Sequence, residues 1–254
     1  MNTALDVKEA IREGWSHPDR VEGWTESALY REFIDPDIRR EWLASLRVAA
    51  AGADSAAALD VGTGPGTLAL LWAEMGLATT GLDFSPGMLT AGRKAAKEHG
   101  LAVDFVEGDA EHPLFPVESF DIVSSRFVLF TLPHPGVAVR RWISLLRPGG
   151  VLVLVGHDRP SDAGRVERPP ARGGPKRKWQ AGERQREALA QLPFVHHSSN
   201  DLRVLMEAAG LDNIHFVSTD KIVATRKLVR ERETEINPLE SRPFILMGRR
   251  NKEP

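Results

Sequence analysis

Cysteine is absent from the 254 residues. That absence removes disulfide scaffolds, thiolate zinc sites, iron–sulfur clusters and cysteine nucleophiles together. Nowhere do about 18 uncharged apolar residues occur in a row, so no membrane-spanning helix is expected. The opening residues Asp6, Lys8, Glu9 and Arg12 interrupt any apolar run of the kind a secretory leader needs, which points to the cytoplasm. An excess of one charge is also missing. The 33 Lys and Arg residues against 35 Asp and Glu leave −2, so no global field draws the chain to nucleic acid or to an anionic membrane. What is present, 42% hydrophobic and 27% charged residues, is the composition of a globular chain long enough to bury a large core without covalent staples.

The middle of the chain alternates short apolar runs with helical patterns, which predicts a parallel sheet covered on both faces. Strands are expected at Ala57–Val61, Thr79–Asp83, Val103–Glu107, Phe120–Ser124 and Val151–Gly156, and two more at Ile214–Ser218 and Phe244–Met247. Helices are expected at Thr67–Met75, at Pro86–Glu98 capped by Ser85, at Gly136–Leu146, and after the Ser199-Asn200-Asp201 cap. The fold class is therefore α/β, a Rossmann-like, mostly parallel seven-stranded sheet. Residues 1–51, with Trp15, Trp24, Tyr30, Phe33 and a helix over Ile38–Val48, read as a helical cap ahead of a sheet domain over 52–254. Residues 159–187 hold nine basic and four acidic side chains with several Pro and Gly and no apolar period, so a mobile loop is expected, with 159–198 as a lid or a solvated linker.

The chemistry concentrates in Leu59-Asp60-Val61-Gly62-Thr63-Gly64-Pro65-Gly66-Thr67, a strand that runs into a glycine loop and opens a helix. Such a loop lets the backbone turn sharply, approach a ligand and present the free N–H groups of a helix start. Dinucleotides and nucleosides with an amino-acid tail both use a crevice of this kind. The glycines fall as G-x-G-x-G rather than the dinucleotide G-x-G-x-x-G, and Asp60 at the strand end would repel a pyrophosphate while attracting an ammonium group. Asp83 ends the second strand where a carboxylate can accept from ribose hydroxyls, beside Phe84 and Met88, and Glu107-Gly108-Asp109-Ala110-Glu111 follows the third.

These segments, together with Phe120-Asp-Ile-Val-Ser-Ser-Arg126 and Leu146-Arg-Pro-Gly-Gly-Val151, resemble the ordered motifs of class I S-adenosylmethionine-dependent methyltransferases. They look most like the small-molecule branch that is similar to the ubiquinone and menaquinone C-methyltransferases, in strong detail over residues 55–156. The resemblance implies S-adenosylmethionine as cofactor. It implies that Gly62, Thr63, Gly64 and Gly66 wrap its methionine part and ribose, with Asp60 near the ammonium. Asp83 and Ser85 would face the ribose, Phe84 and Met88 the adenine ring, and Gly108, Asp109, Ala110 and Glu111 the adenine edge. Ser125, Arg126 and Phe127 would face the amino-acid tail and the sulfonium, and Tyr30 would approach from the cap.

A small-molecule acceptor, expected to be a specialised metabolite, follows from the same resemblance, methylated on O or N and less readily on C, by in-line displacement. His157, after the fifth strand, is the first choice for a general base, against a loop histidine bonded to backbone or water. Trp15, Tyr30, His157, His196 and His197 are expected to line the acceptor pocket. With no Cys and no H-x3-H pair, no metal is expected. A cofactor-binding cyclase and a nucleic-acid methyltransferase are the alternative functions. Neither nucleic acid nor membrane is expected as a partner, and the chain is expected as a monomer or homodimer.

Overall fold

A computed structural model describes residues 3–51, 56–157, 182–233 and 242–252. Ahead of the sheet come α1 (Ala4–Ser16), α2 (Pro18–Thr25), α3 (Ala28–Arg31) and α4 (Pro36–Leu46). The alternating core follows as β1 (Ala57–Val61), α5 (Thr67–Glu74), β2 (Ala78–Asp83), α6 (Pro86–Glu98), β3 (Val103–Glu107), β4 (Phe120–Arg126), α7 (Pro135–Leu145) and β5 (Leu146–His157). Then come α8 (Glu183–Ala190), α9 (Ser199–Ala208), β6 (Asp212–Val217), α10 (Asp220–Glu233) and β7 (Pro243–Arg249).

The strands form one seven-stranded sheet in the order β3-β2-β1-β4-β5-β7-β6. The first five are parallel, and β7 runs antiparallel to both β5 and β6. Chain order reverses between β1 and β4, and the crevice outside their carboxyl ends is where open α/β sheets receive ligands. Side chains alternate across the sheet with the period of two that a strand imposes. Ala58, Ile122, Val153 and Ile245 face α4, α5 and α10. Leu59, Val123, Leu152 and Leu246 face α7 and α9 on the other side. Both faces are covered, so the strands read as continuous apolar runs.

Local signals account for the well-placed elements. Ser85 caps α6 by accepting from the Met88 N–H, and Pro86 stands at the first helical position, where its missing donor is not needed. Ser198 and Asp201 form a reciprocal capping box at α9. Three expectations change. First, β5 begins at Leu146 because Phe120 pairs with Leu146 and Ile122 with Val151, so Arg147–Gly150 bulges from the ladder without ending it. Second, residues 183–187 belong to α8, whose Ala188 packs with Leu192 against Val7, Ala10 and Ile11 of α1. The rest of the expected lid, residues 159–181, lies outside the described residues. Third, α10 fills the link between β6 and β7, where no helix was expected.

Candidate active site

Val61 delivers the chain into the glycine loop at the β1 edge of the crevice. Gly62 and Gly64 adopt φ of 66° and 55°, a region costly for residues with a Cβ. At Gly62 that atom would lie 2.1 Å from Val128 Cγ2, whereas at Gly64 it would meet nothing closer than Trp24 Nε1 at 4.0 Å. The loop is thus pressed against the fold on one side and open to a ligand under Trp24 on the other.

Two buried carboxylates flank the loop. Asp60 Oδ1 accepts from Ser124 Oγ at 2.8 Å, and that hydroxyl accepts from Trp72 Nε1 at 2.9 Å. Asp83 Oδ2 accepts from the Gly64 N–H at 2.8 Å and Oδ1 from the Ser85 N–H at 2.9 Å, which ties β2 to the loop. Loss of hydration pushes each carboxyl up to about 6 despite these donors. A carboxyl raised in the fold stabilises the fold fully below its unfolded value and loses that contribution as pH rises through the folded value. Each raised carboxyl corresponds to roughly 3 kcal/mol by the usual conversion. The free chain is therefore expected to melt at lower temperature as pH rises from 5 to 7.5, and Asp60→Asn is expected to flatten that slope in a pH series of melting curves.

Beyond β3, Asp109 and Glu111 meet a residue from the first helix. Lys8 Nζ lies 2.7 Å from Asp109 Oδ2 and 2.5 Å from Glu111 Oε2. The Ala110 carbonyl accepts from Trp142 Nε1 at 2.7 Å, which fixes the segment from below. At the end of β4, Ser125 Oγ donates to the Val61 carbonyl at 2.9 Å. The next residues carry the left-handed turn: Phe127 has φ of 59°, uncommon for a bulky side chain and a mark of functional sites. Its ring is set edge-on to Trp24 at 6.4 Å and to His157 at 5.4 Å.

The residues present fit a nucleoside with a cationic tail. A glycine loop open on one side, a buried carboxylate beneath it, a second one at the β2 edge and a third after β3 follow the crevice in order. Comparisons with known proteins agree. Residues 59–154 match a family described as Methyltransferase domain. Residues 59–154 of the chain thus form a methyltransferase domain by that match. A ubiquinone/menaquinone biosynthesis C-methyltransferase of Nitrosospira multiformis is 31% identical over 147 residues, which are 53% of this chain and 57% of that one. The chain thus spans little more than half of that relative. Among solved structures, phosphoethanolamine N-methyltransferase 2 of Haemonchus contortus with S-adenosyl-L-methionine superposes with a TM-score of 0.64 at 16% identity, covering 96% of this chain and 60% of that chain. Magnesium protoporphyrin IX methyltransferase from Synechocystis PCC 6803 with bound SAH gives 0.62 at 16%, covering 96% and 100%. At these identities the likeness is one of fold.

Against the family's pattern, the remaining expected residues distribute as follows. Glu111 is buried between Lys8 and the His134 backbone N–H, so its carboxylate anchors the loop. Met88 is buried in α6, and Phe84 packs with Trp15 against α1. The α1 end is held there because Ser85 Oγ donates to the Trp15 carbonyl at 3.3 Å. Trp15 meets Trp24 edge-on at 5.6 Å. Tyr30 is buried in α3, and burial raises its phenol. Of the paired histidines, His197 stacks on Phe130 and Phe194 with its Nδ1 at 2.6 Å from the Phe194 carbonyl, while His196 is exposed. No group of residues suited to a metal occurs among the described residues.

His157 departs from its expected role. Its Nε2 lies 3.3 Å from Arg226 Nη2, so that nitrogen receives a guanidinium N–H and the proton is assigned to Nδ1. Burial, then Arg126 and Arg226, hold the ring far down at about 2. A neutral imidazole beside two cations is a poor proton acceptor at neutral pH, which weighs against the general-base expectation. Sequence reasoning also missed Lys8, Glu32 and Arg226. Their partners lie 101 and 194 residues away, and no local pattern announces them.

Proposed function

We propose that the chain transfers the methyl group of S-adenosylmethionine to a small organic acceptor. The observation that carries this reading is the Asp83 carboxylate hydrogen-bonded to the Gly64 N–H, beside buried Asp60 at the β1/β4 switch point. In this reading Asp60 offers its charge to the ammonium and Asp83 accepts from the ribose hydroxyls. Asp109 exchanges Lys8 for the adenine amino group, with the Ala110 backbone beside it. Trp24 and Phe127 exclude water above the loop, where positioning and desolvation supply much of the barrier reduction.

When bound, the cofactor supplies an electrophilic sulfonium methyl. The bond from the acceptor atom to the methyl forms as the sulfur–methyl bond breaks, and the electron pair stays on sulfur. The expectation of an O or N acceptor is set aside because the curated relatives are named as C-methyltransferases. We take the acceptor atom to be a carbon of an electron-rich ring or enol, which releases its proton to water after transfer. Incubation with methyl-labelled S-adenosylmethionine and a panel of phenols and hydroquinones tests this reading. Label in a carbon-bound methyl supports it, and the absence of label in any acceptor contradicts it.

His157 positions and does not take the proton. His157→Ala is therefore expected to reduce turnover by less than tenfold and to leave the shape of the pH–rate profile unchanged, because removing a true general base costs about 100- to 10,000-fold. A lost pH limb would contradict this.

A further inference from the structure

Two carboxylates in the segment after β3 share one ammonium, and they differ in what they need from it. Lys8 Nζ of α1 lies 2.7 Å from Asp109 Oδ2 and 2.5 Å from Glu111 Oε2. The Glu111 side chain is only 1% exposed, whereas that of Asp109 is 43% exposed and that of Lys8 25%. A carboxylate taken out of water needs a countercharge, and removing its partner is strongly destabilising. A half-exposed pair contributes little. Glu111 therefore depends on Lys8, while the contact with Asp109 is weak and exchangeable. Burial alone would lower the ammonium, but its hydrogen bonds with Asp109 and Glu111 outweigh that and hold it above the usual lysine range, so it is charged at neutral pH.

The exchangeable contact occupies the oxygen a ligand would use. Asp109 Oδ1 already accepts from the Glu111 N–H at 2.8 Å, and among the described residues Oδ2 is met by Lys8 alone. Glu111 stays in place when the lysine moves, because its Oε1 accepts from the His134 N–H and His134 Nδ1 lies 3.5 Å from its Oε2. The helix that carries Lys8 is fixed as well. Arg12 Nη2 lies 2.6 Å from Glu107 Oε1, Val7, Ala10 and Ile11 pack with Ala188 and Leu192 of α8, and the Trp15 carbonyl accepts from Ser85 Oγ. What is left to move is the flexible four-carbon arm of Lys8.

We propose that Lys8 is a built-in competitor for the adenine amino group. It holds Asp109 in the free chain and turns onto Glu111 alone when the cofactor binds, so this lysine sets the affinity of the site. The proposal rests on the methyltransferase reading above, in which Asp109 receives that amino group. Glu111 is the resting place that keeps the displaced ammonium paired and returns it to Asp109 when the cofactor leaves.

The test is calorimetric titration of the full chain at pH 7.5 with S-adenosylhomocysteine and with S-inosylhomocysteine, which has the same tail but a carbonyl oxygen where adenine has its amino group. Lys8→Met is expected to tighten S-adenosylhomocysteine binding about threefold to fivefold, the worth of a half-exposed ion pair, and to leave S-inosylhomocysteine no tighter. The same variant is expected to melt at lower temperature, because Glu111 loses its countercharge. A purely structural lysine would lower melting temperature and affinity together. Glu111→Gln removes the resting place but keeps an acceptor for the His134 N–H. It is expected to weaken S-adenosylhomocysteine binding about threefold with Lys8 present and hardly at all in the Lys8→Met background. Should Lys8→Met not fold, the unmodified chain decides alone. The ratio of the two affinities, in which the tail charges cancel, is expected to move toward S-adenosylhomocysteine as NaCl rises from about 20 to about 300 mM and screens the Lys8–Asp109 pair. Unchanged or weaker binding in Lys8→Met, equal tightening of both ligands, the same Glu111→Gln effect in both backgrounds, or a ratio flat in salt overturns the proposal and leaves the methyltransferase reading in place. Failure of S-adenosylhomocysteine to bind overturns that reading, and the proposal with it.

Discussion

Asp83→Ala is expected to weaken S-adenosylhomocysteine binding by about 100-fold or more. The carboxylate ends β2 at the edge of the crevice and already accepts from the Gly64 and Ser85 N–H groups. Hydrogen bonds from two ribose hydroxyls to a charged acceptor contribute about 1.5–3 kcal/mol each, so the pair accounts for the loss. The substitution also frees the Gly64 N–H, and the loop loses its tie to β2. Stability should respond differently. Burial raises this carboxyl to about 6, so the fold gains little from its charge at neutral pH, and melting should move far less than binding. Asp83→Asn, which keeps one acceptor, should fall between the two. Calorimetric affinities within threefold of the unmodified chain would remove Asp83 from the site.

The largest effect on stability is expected at Trp142. Its indole is fully buried on α7, between the sheet and α9, and its Nε1–H reaches the Ala110 carbonyl in the segment after β3. Trp142→Ala should destabilise the chain by about 3–5 kcal/mol through lost packing and the cavity left behind. Trp142→Phe keeps most of the ring but leaves the Ala110 carbonyl without its donor, at about 1–3 kcal/mol. Urea unfolding separates the two, and the Phe variant should also bind S-adenosylhomocysteine more weakly because Asp109 and Ala110 lose their support. An Ala variant within 1 kcal/mol of the unmodified chain, a bound set by the same cavity relation, would contradict the account of this core.

What the sequence makes legible is what local chemistry determines. β1, β3 and α6 have the boundaries expected from apolar runs, the Ser85 cap and Gly100. The order of carboxylates at successive strand ends is equally local, because each follows its own strand. β5 is read short because Pro148 and two glycines imitate a stop, whereas the ladder absorbs them as a bulge. α8 and α10 escape because their faces are mostly polar, and α10 is anchored by two apolar side chains and a buried arginine. Sites built across the chain are the least legible. Lys8 on Asp109 and Arg226 on Glu32 join segments that only the finished fold brings together. The demotion of His157 follows from those same distant guanidiniums, so position at a strand end is not enough to assign a base.

The most direct measurement is calorimetric titration of the full chain with S-adenosylmethionine in several buffers at pH 6 and pH 8, with NAD as the competitor. Asp60 and Asp83 are half protonated near pH 6 in the free chain and must both ionise to hold an ammonium group and ribose hydroxyls. Binding should therefore be saturable, should release about one proton at pH 6 and almost none at pH 8, and should be indifferent to NAD. Absence of saturable heat, displacement by NAD, or heats at pH 6 that do not vary with buffer would contradict it.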